Sequence, residues 1–269
     1  MRLRPNLLIG GALITLILAV AATALVWTPY DPVRTNLRRR LRPPSPEYWL
    51  GTDEFGRDIV SRLMSGAVTS VTVAAATVVV ALALGLAMGL AGGFLRGWVD
   101  RVLGAVSDTL LAFPGILLAL GLLAVLGPSV WGIVLALGLA YAPTVARVVR
   151  STVLSIRERE FVEASRALGN SETYTLLRHV LPHTAAPVTV LATSLFGWVI
   201  LSESALSFLG LGVPPPAATW GNMLASARPF MAEAPLLSIA PGLMIAACLL
   251  GANLLGDALR DLLDPRDAG

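Results

Sequence analysis

Six stretches of this chain are long enough and apolar enough to cross a lipid bilayer as helices, and no other feature restricts the fold as much. They are residues 7–27, 68–94, 104–126, 129–146, 185–211 and 236–255. A hydrocarbon core about 30 Å thick asks for roughly 20 helical residues without a run of charge, and each stretch approaches or exceeds that length. With 55% hydrophobic and only 14% charged residues, the chain is too apolar for an ordinary soluble domain. The expected fold is all-α: a polytopic membrane protein with six transmembrane helices. The third and fourth spans are joined by a tight Gly127-Pro128 turn, and Pro114 sits inside the third, where a missing backbone donor allows a bend.

The first run has a rival reading. Arg2 and Arg4, an apolar stretch and Ala22-Thr23-Ala24 together resemble a cleavable leader, but the run exceeds the usual core of about 7–15 residues, which favours an uncleaved span. Cys248 is the sole cysteine, so no disulfide forms within the chain, and its small apolar character suits a buried position.

All 20 basic residues are arginine. With a cytoplasmic N-terminus, the segments 95–103, 147–184 and 256–269 face the cytoplasm and carry Arg96, Arg101, Arg147, Arg150, Arg157, Arg159, Arg166, Arg178, Arg260 and Arg266, as the positive-inside bias requires. One segment works against it. Residues 29–66 would face outside with Arg34, Arg38, Arg39, Arg40, Arg42, Arg57 and Arg62, although much of that charge lies far from the end of the first span, where the bias weakens. The run Arg38-Arg39-Arg40 with Arg42 reads as a solvated stretch, with anionic lipid headgroups as the alternative partner.

The longest polar segment between spans contains EASRALGNSETYTLLRHVLPH, residues 163–183. Residues 156–168 have helical character, with Phe161, Ala164 and Leu168 spaced along one face. Gly169 supplies the left-handed residue that ends a helix, Asn170-Ser171-Glu172 supplies a cap and an acidic first turn for another, and Pro182 is expected to stop the second. The apolar face of this helix-turn-helix must bury against the chain's own helix ends or against a partner.

These residues resemble the inner-membrane permease subunits of ATP-binding-cassette (ABC) importers. Their cytoplasmic loop carries Glu-Ala-Ala, three residues, Gly, nine residues, Ile, one residue and Leu-Pro. Here Glu163-Ala164-Ser165, Gly169 and Leu181-Pro182 stand at that spacing, with Ser165 in place of alanine and His179 in place of isoleucine. The block from Trp49 to Asp58, Glu203 to Gly212 with Pro215-Pro216 and the run from Trp220 to Leu224, and Asn253 to Asp257 with Pro265-Arg266 resemble the second (C-type) permease of the dipeptide, oligopeptide and nickel branch. The resemblance implies a type I ABC importer permease fold in a prokaryotic inner membrane, with both termini cytoplasmic. Its parts would be an N-terminal helix over 1–28, an external connector over 29–66, a core over 67–260 with a coupling loop at 150–184, and a tail over 261–269. It also implies that Glu163, Ala164, Ser165, Gly169, Asn170, Ser171, His179, Leu181 and Pro182 couple to an ATPase. The implied partners are a second permease, two ABC ATPases, an extracytoplasmic substrate-binding protein and membrane lipid, with no nucleic acid. ATP and magnesium would belong to the ATPases, and this chain would hold no cofactor or metal and would catalyse no reaction.

A chain without lysine cannot contain a standard phosphate-binding loop, which fits that division of labour. Glu203, followed by Ser204 and Ser207, lies inside the fifth span, and either lines the path or makes structural hydrogen bonds. Asp108, near the start of the third span, is expected to be solvated at the interface. A proton-driven carrier using Glu203 and Asp108 is the second functional reading, and an assembly scaffold without transport is the third. The proline-rich stretch 212–220 should form an external turn, with Trp220 and Asn222 either meeting the binding protein or, for the tryptophan, anchoring the helix at the interface. Gly85, Gly89 and Gly93 are spaced for close helix packing, within the chain rather than between chains. His179 and His183, four apart, lack a third ligand for a metal.

Overall fold

The computed structural model describes residues 5–263, so Arg2, Arg4, Pro265 and Arg266 lie outside the described residues. The chain is almost wholly helical: α1 (Pro5–Ala24), α2 (Ile59–Leu95), α3 (Gly97–Leu111), α4 (Gly115–Leu126), α5 (Val130–Ile156), α6 (Glu160–Ala167), α7 (Glu172–Thr175), α8 (Leu181–Phe208), α9 (Trp220–Ala227) and α10 (Leu236–Leu263). A π-helical segment, Leu176–Val180, joins α7 to α8. Five helices are long and apolar enough to cross a membrane, or six if α3 and α4 together make one crossing.

The third span is not the straight helix expected over 104–126. It breaks at Ala112–Pro114 into α3 and α4, bent by 94°. Pro114 has no N–H to continue the ladder and disfavours helical geometry at Phe113, so the chain turns there even though its hydropathy does not change. α3 buries only Ser107 along its length, and two ion pairs tie it to α5: Arg150 grips Asp100 through Nε and Nη2 at 2.5 and 2.8 Å, and Arg147 reaches Asp108 at 2.9 Å. Asp108 is exposed, as expected, but it also takes that arginine partner.

α5 is the post around which the bundle is built, and α2 lies closest to it. The glycine stripe of α2 explains the fit. A Cβ on Gly85 would fall 2.3 Å from the Cβ of Val145, one on Gly89 2.6 Å from that of Val149, and one on Gly93 2.8 Å from that of Val153. Glycines and valines recur at the same four-residue interval, so each valine fills the groove left by one glycine. The stripe therefore packs within the chain.

α2 begins at Ile59, inside the segment expected to be a connector up to residue 66. Asp58 caps it, accepting from the Ser61 N–H at 2.8 Å and from the Ser61 hydroxyl at 2.6 Å. The preceding residues fold into a small polar lobe around Asp53. Its Oδ1 accepts the N–H groups of Phe55 and Arg57 at 2.9 Å each, and its Oδ2 accepts Arg57 Nε at 2.6 Å, with Arg62 Nε 3.4 Å away. Two glycines make the lobe possible. Gly51 and Gly56 have φ of +84° and +73°, and a Cβ on Gly56 would stand 1.9 Å from the Asn36 carbonyl oxygen. Partial burial pushes the neighbouring Glu54 carboxyl above its usual range.

The lobe and α9 sit at one end of α2, and the loop between α5 and α8 sits at the other. At about 1.5 Å per residue, the 37 residues of α2 separate these ends by roughly 55 Å.

Candidate functional site

The turn expected from sequence forms around Gly169, and its inner side is polar. Gly169 has φ +82° and its N–H reaches the Arg166 carbonyl at 2.9 Å. Ser171 caps α7 by accepting from the Tyr174 N–H at 3.2 Å. Across the turn, Arg166 clasps Glu172 with Nε and Nη2 at 3.1 and 3.3 Å. Its guanidinium also lies 5.6 Å from the Phe94 ring, at the end of α2.

Ser165 is the pin of the turn. Buried, it shares a 3.0 Å hydrogen bond with the Thr175 hydroxyl and accepts from Asn170 Nδ2 at 3.2 Å, so α6 and α7 close on one hydroxyl. In sequence it looked like a small departure from alanine; in the structure that departure supplies the bond. The buried face of α6 is Val162 and Ser165, not the expected Phe161, Ala164 and Leu168, which stay exposed together with Glu163. The correction has a physical source: α6 is only two turns long and meets α7 across the turn, so the side facing α7 is the one that buries.

Arg157 was missed in the sequence, where it is one arginine among many. Its side chain is buried, and Nη1 donates to the Gly93 carbonyl at 2.5 Å, satisfying a free carbonyl in the last turn of α2. Arg157→Ala is expected to loosen the loop from α2 at a cost of about 2 kcal/mol, the scale of a charged hydrogen bond lost from a buried carbonyl. Faster hydrogen exchange in residues 157–175 would register it; unchanged protection there would remove Arg157 as the anchor.

Pro182 does not end the second helix. α7, the π segment and α8 form one apolar helix from Glu172 to Phe208. In the π segment the Leu181 N–H bonds to the Leu176 carbonyl, five residues back, and this widened turn makes room for the proline ring where a regular helix would clash. His179 and His183 pack with Phe161 and Tyr174: the Phe161 ring stacks on His183 at 5.2 Å, and the Tyr174 ring meets His179 edge-on at 5.9 Å. Among the described residues, no group of histidine, cysteine and carboxylate side chains has the makings of a metal site.

At the far end, the structure brings together two sets of residues that were expected to act apart. Glu203 is buried at 2% exposure, and its Oε1 accepts the hydroxyls of Ser207 at 2.7 Å and Thr219 at 3.0 Å. Thr219 is the cap of α9, paired with Asn222 in a reciprocal capping box. Glu203 thus ties α8 to α9. Ser204 bonds back to the Ile200 carbonyl, and Gly221 lies against Ser204 and Ser207, where a Cβ would stand 2.6 Å from the Ser204 Cα.

Trp220 is fully buried. Its indole N–H donates to the Leu63 carbonyl at 3.1 Å and its ring packs on Gly66, so it wedges α9 against α2. An external contact through this ring, or a place at the membrane interface, is corrected to an internal role, because only the inner face of α9 offers a partner for the indole. Asn222 is half-buried and spends its amide on the Ala217 and Val213 carbonyls at 2.8 and 3.4 Å.

Residues 81–267 match the family model described as "Binding-protein-dependent transport system inner membrane component". The chain is 41% identical to the dipeptide transport system permease protein DppC of Alkalihalophilus pseudofirmus, over 96% of this chain and 85% of that one. It is also 41% identical to the glutathione transport system permease protein GsiD of Escherichia coli O6:K15:H31, over 99% of this chain and 88% of that protein. In fold it is similar to a chain of the MetNI methionine ABC transporter in its inward-facing conformations, with a TM-score of 0.58 at 16% identity, covering 72% of this chain and 94% of that one.

Proposed function

This chain belongs to the family of binding-protein-dependent transport system inner membrane components, and from that premise we propose that it forms half of an ATP-driven import path for dipeptides or other short peptides. The observation that carries the reading is the division of the Gly169 turn. Ser165, Thr175 and Val162 are turned inward, while Glu163, Ala164, Leu168 and Gly169 are exposed at one end of the bundle. A short acidic and apolar ridge with a pinned interior has the shape needed to enter a groove on another protein. Its neighbour in sequence is the continuous helix through Pro182, which would carry the movement to Glu203.

Two ABC ATPases would supply the hydrolysis, with their own ATP and magnesium, and a second permease would supply the other half of the path. An extracytoplasmic binding protein would deliver substrate to the lobe end. The N-terminus would be cytoplasmic. Peptide, glutathione and nickel-complex substrates all fit the branch; the names of the relatives favour peptides, and the binding protein would set the selectivity.

A proton-driven carrier is less well supported, because its two candidate relay groups do not communicate. Asp108 is exposed and paired with Arg147, whereas Glu203 is sealed between α8 and α9. The deciding experiment is uptake in proteoliposomes. The chain reconstituted with its second permease, its ATPases and its binding protein is expected to accumulate a labelled dipeptide only when ATP is enclosed on the ATPase side. Uptake by this chain alone, driven by a pH gradient, would overturn the proposal.

A further inference from the structure

The lobe end keeps its carboxylates inside and its arginines outside. Asp53 and Asp58 are buried, Glu54 is partly buried against Arg57, and Glu47 is engaged by Arg39. Arg34, Arg38, Arg40, Arg42 and Arg228 are exposed, and among the described residues none has a carboxylate partner. Only Asp31 and Glu233 oppose them as further exposed acids at this end. Membrane proteins ordinarily keep arginine off this side, so five unpaired guanidiniums here are a cost that a partner must offset.

Two of the five are held in place. Arg40 lies 5.4 Å from the centre of the Phe230 ring and Arg228 5.4 Å from that of Phe208, so the charged face bridges the lobe and the turn after α9. Leu37, Leu209 and Met231 stand exposed beside them at 70%, 59% and 53%. Arginine mixed with methionine and leucine, without lysine, has the composition of a protein-binding surface. Lipid headgroups explain the face less well. The exposed Trp27 and Trp49 line a groove with Val60 at the start of α2, which is where the membrane interface is expected, and Arg34 to Arg42 lie in the separate fold of the lobe.

We propose that this arginine face, carried by the lobe and the turn after α9, is the dock for an acidic surface on the extracytoplasmic binding protein. The inference rests on the importer reading above and adds the chemistry of one contact to it. Long-range attraction of this kind raises the association rate and weakens with salt.

The test uses the assembled transporter in nanodiscs of phosphatidylcholine, its own binding protein, and the pair Arg38→Glu/Arg42→Glu, whose side chains have no partner to lose. The double reversal is expected to weaken binding about tenfold at low salt and to flatten its salt dependence, while Arg38→Gln/Arg42→Gln gives a smaller loss, consistent with removing two rim charges rather than inverting them. Basal ATP hydrolysis should stay at the wild-type rate in both. Binding within twofold of wild type in the reversed variant would overturn the proposal. So would a loss seen only in discs containing phosphatidylglycerol, which would assign the face to lipid. If the wild-type complex binds its binding protein and the variants do too, only this contact fails; if the wild type hydrolyses ATP but moves no peptide, the importer reading fails with it.

Discussion

Gly169→Val is expected to abolish uptake, by at least about tenfold, while leaving membrane insertion and ATP hydrolysis by the assembled complex in place. The reason lies in the backbone alone. Gly169 has φ +82°, and no atom stands within 4 Å of where its Cβ would be. A β-branched residue finds room there but not the conformation, and the left-handed region costs an ordinary residue about 1–2 kcal/mol, more for valine. The turn would relax by rotating the Gly169 peptide, and Ser165 would lose its register with Thr175 and Asn170. Gly169→Asn separates the causes, because asparagine tolerates the left-handed region. Near-normal uptake in the asparagine variant, with uptake lost in the valine variant, would tie coupling to the shape of the turn. Normal uptake in Gly169→Val would remove the turn from the mechanism.

The second large effect is structural. Gly89→Leu is expected to prevent the bundle from closing, because its Cβ alone would sit 2.6 Å from the Val149 Cβ and 2.7 Å from the Ala146 carbonyl oxygen. Neither can retreat: Val149 is fully buried on the central post, and the oxygen belongs to the backbone of α5. Overpacking of this kind costs about 3 kcal/mol, and separating two helices along their length costs more. The variant should fail to give a monodisperse peak on size-exclusion chromatography. Gly104→Ala, on α3 with open space around it, should elute like the wild type. Partial recovery in Gly89→Ala with Val149→Ala would locate the fault in the groove; a Gly89→Leu protein with unchanged elution and melting would refute the packing account.

How far the sequence could be read depended on the range of the forces involved. Apolar runs located the spans because burial in a bilayer acts on each residue separately. Gly169 and Ser171 were readable because left-handed geometry and capping are local. Pro114 and Pro182 were not separable by such rules: one breaks its helix and the other rides through, and the difference lies in the π turn that precedes Pro182. The start of α2 at Ile59 was hidden because Asp58, Arg57 and Arg62 read as connector charge, while their partners in the lobe are set by tertiary packing. Trp220 was misplaced for a related reason: its burial depends on Gly66, about 150 positions earlier, and no spacing in the chain announces the pair. Arg157 carries no local signal at all, since its partner is a carbonyl oxygen.

The unbroken helix from Glu172 to Phe208 has a mechanical consequence. At about 1.5 Å per residue it is a rod of roughly 55 Å, so a tilt of about 6° around its middle displaces each tip by roughly 3 Å in opposite directions. One tip carries the Ser171 cap, and Glu203, about one turn from the other, holds the cap of α9. A push no wider than a water molecule at the first would therefore strain the two hydroxyl contacts at the second, and the widened turn at Leu176–Val180 is where such a rod can yield without snapping.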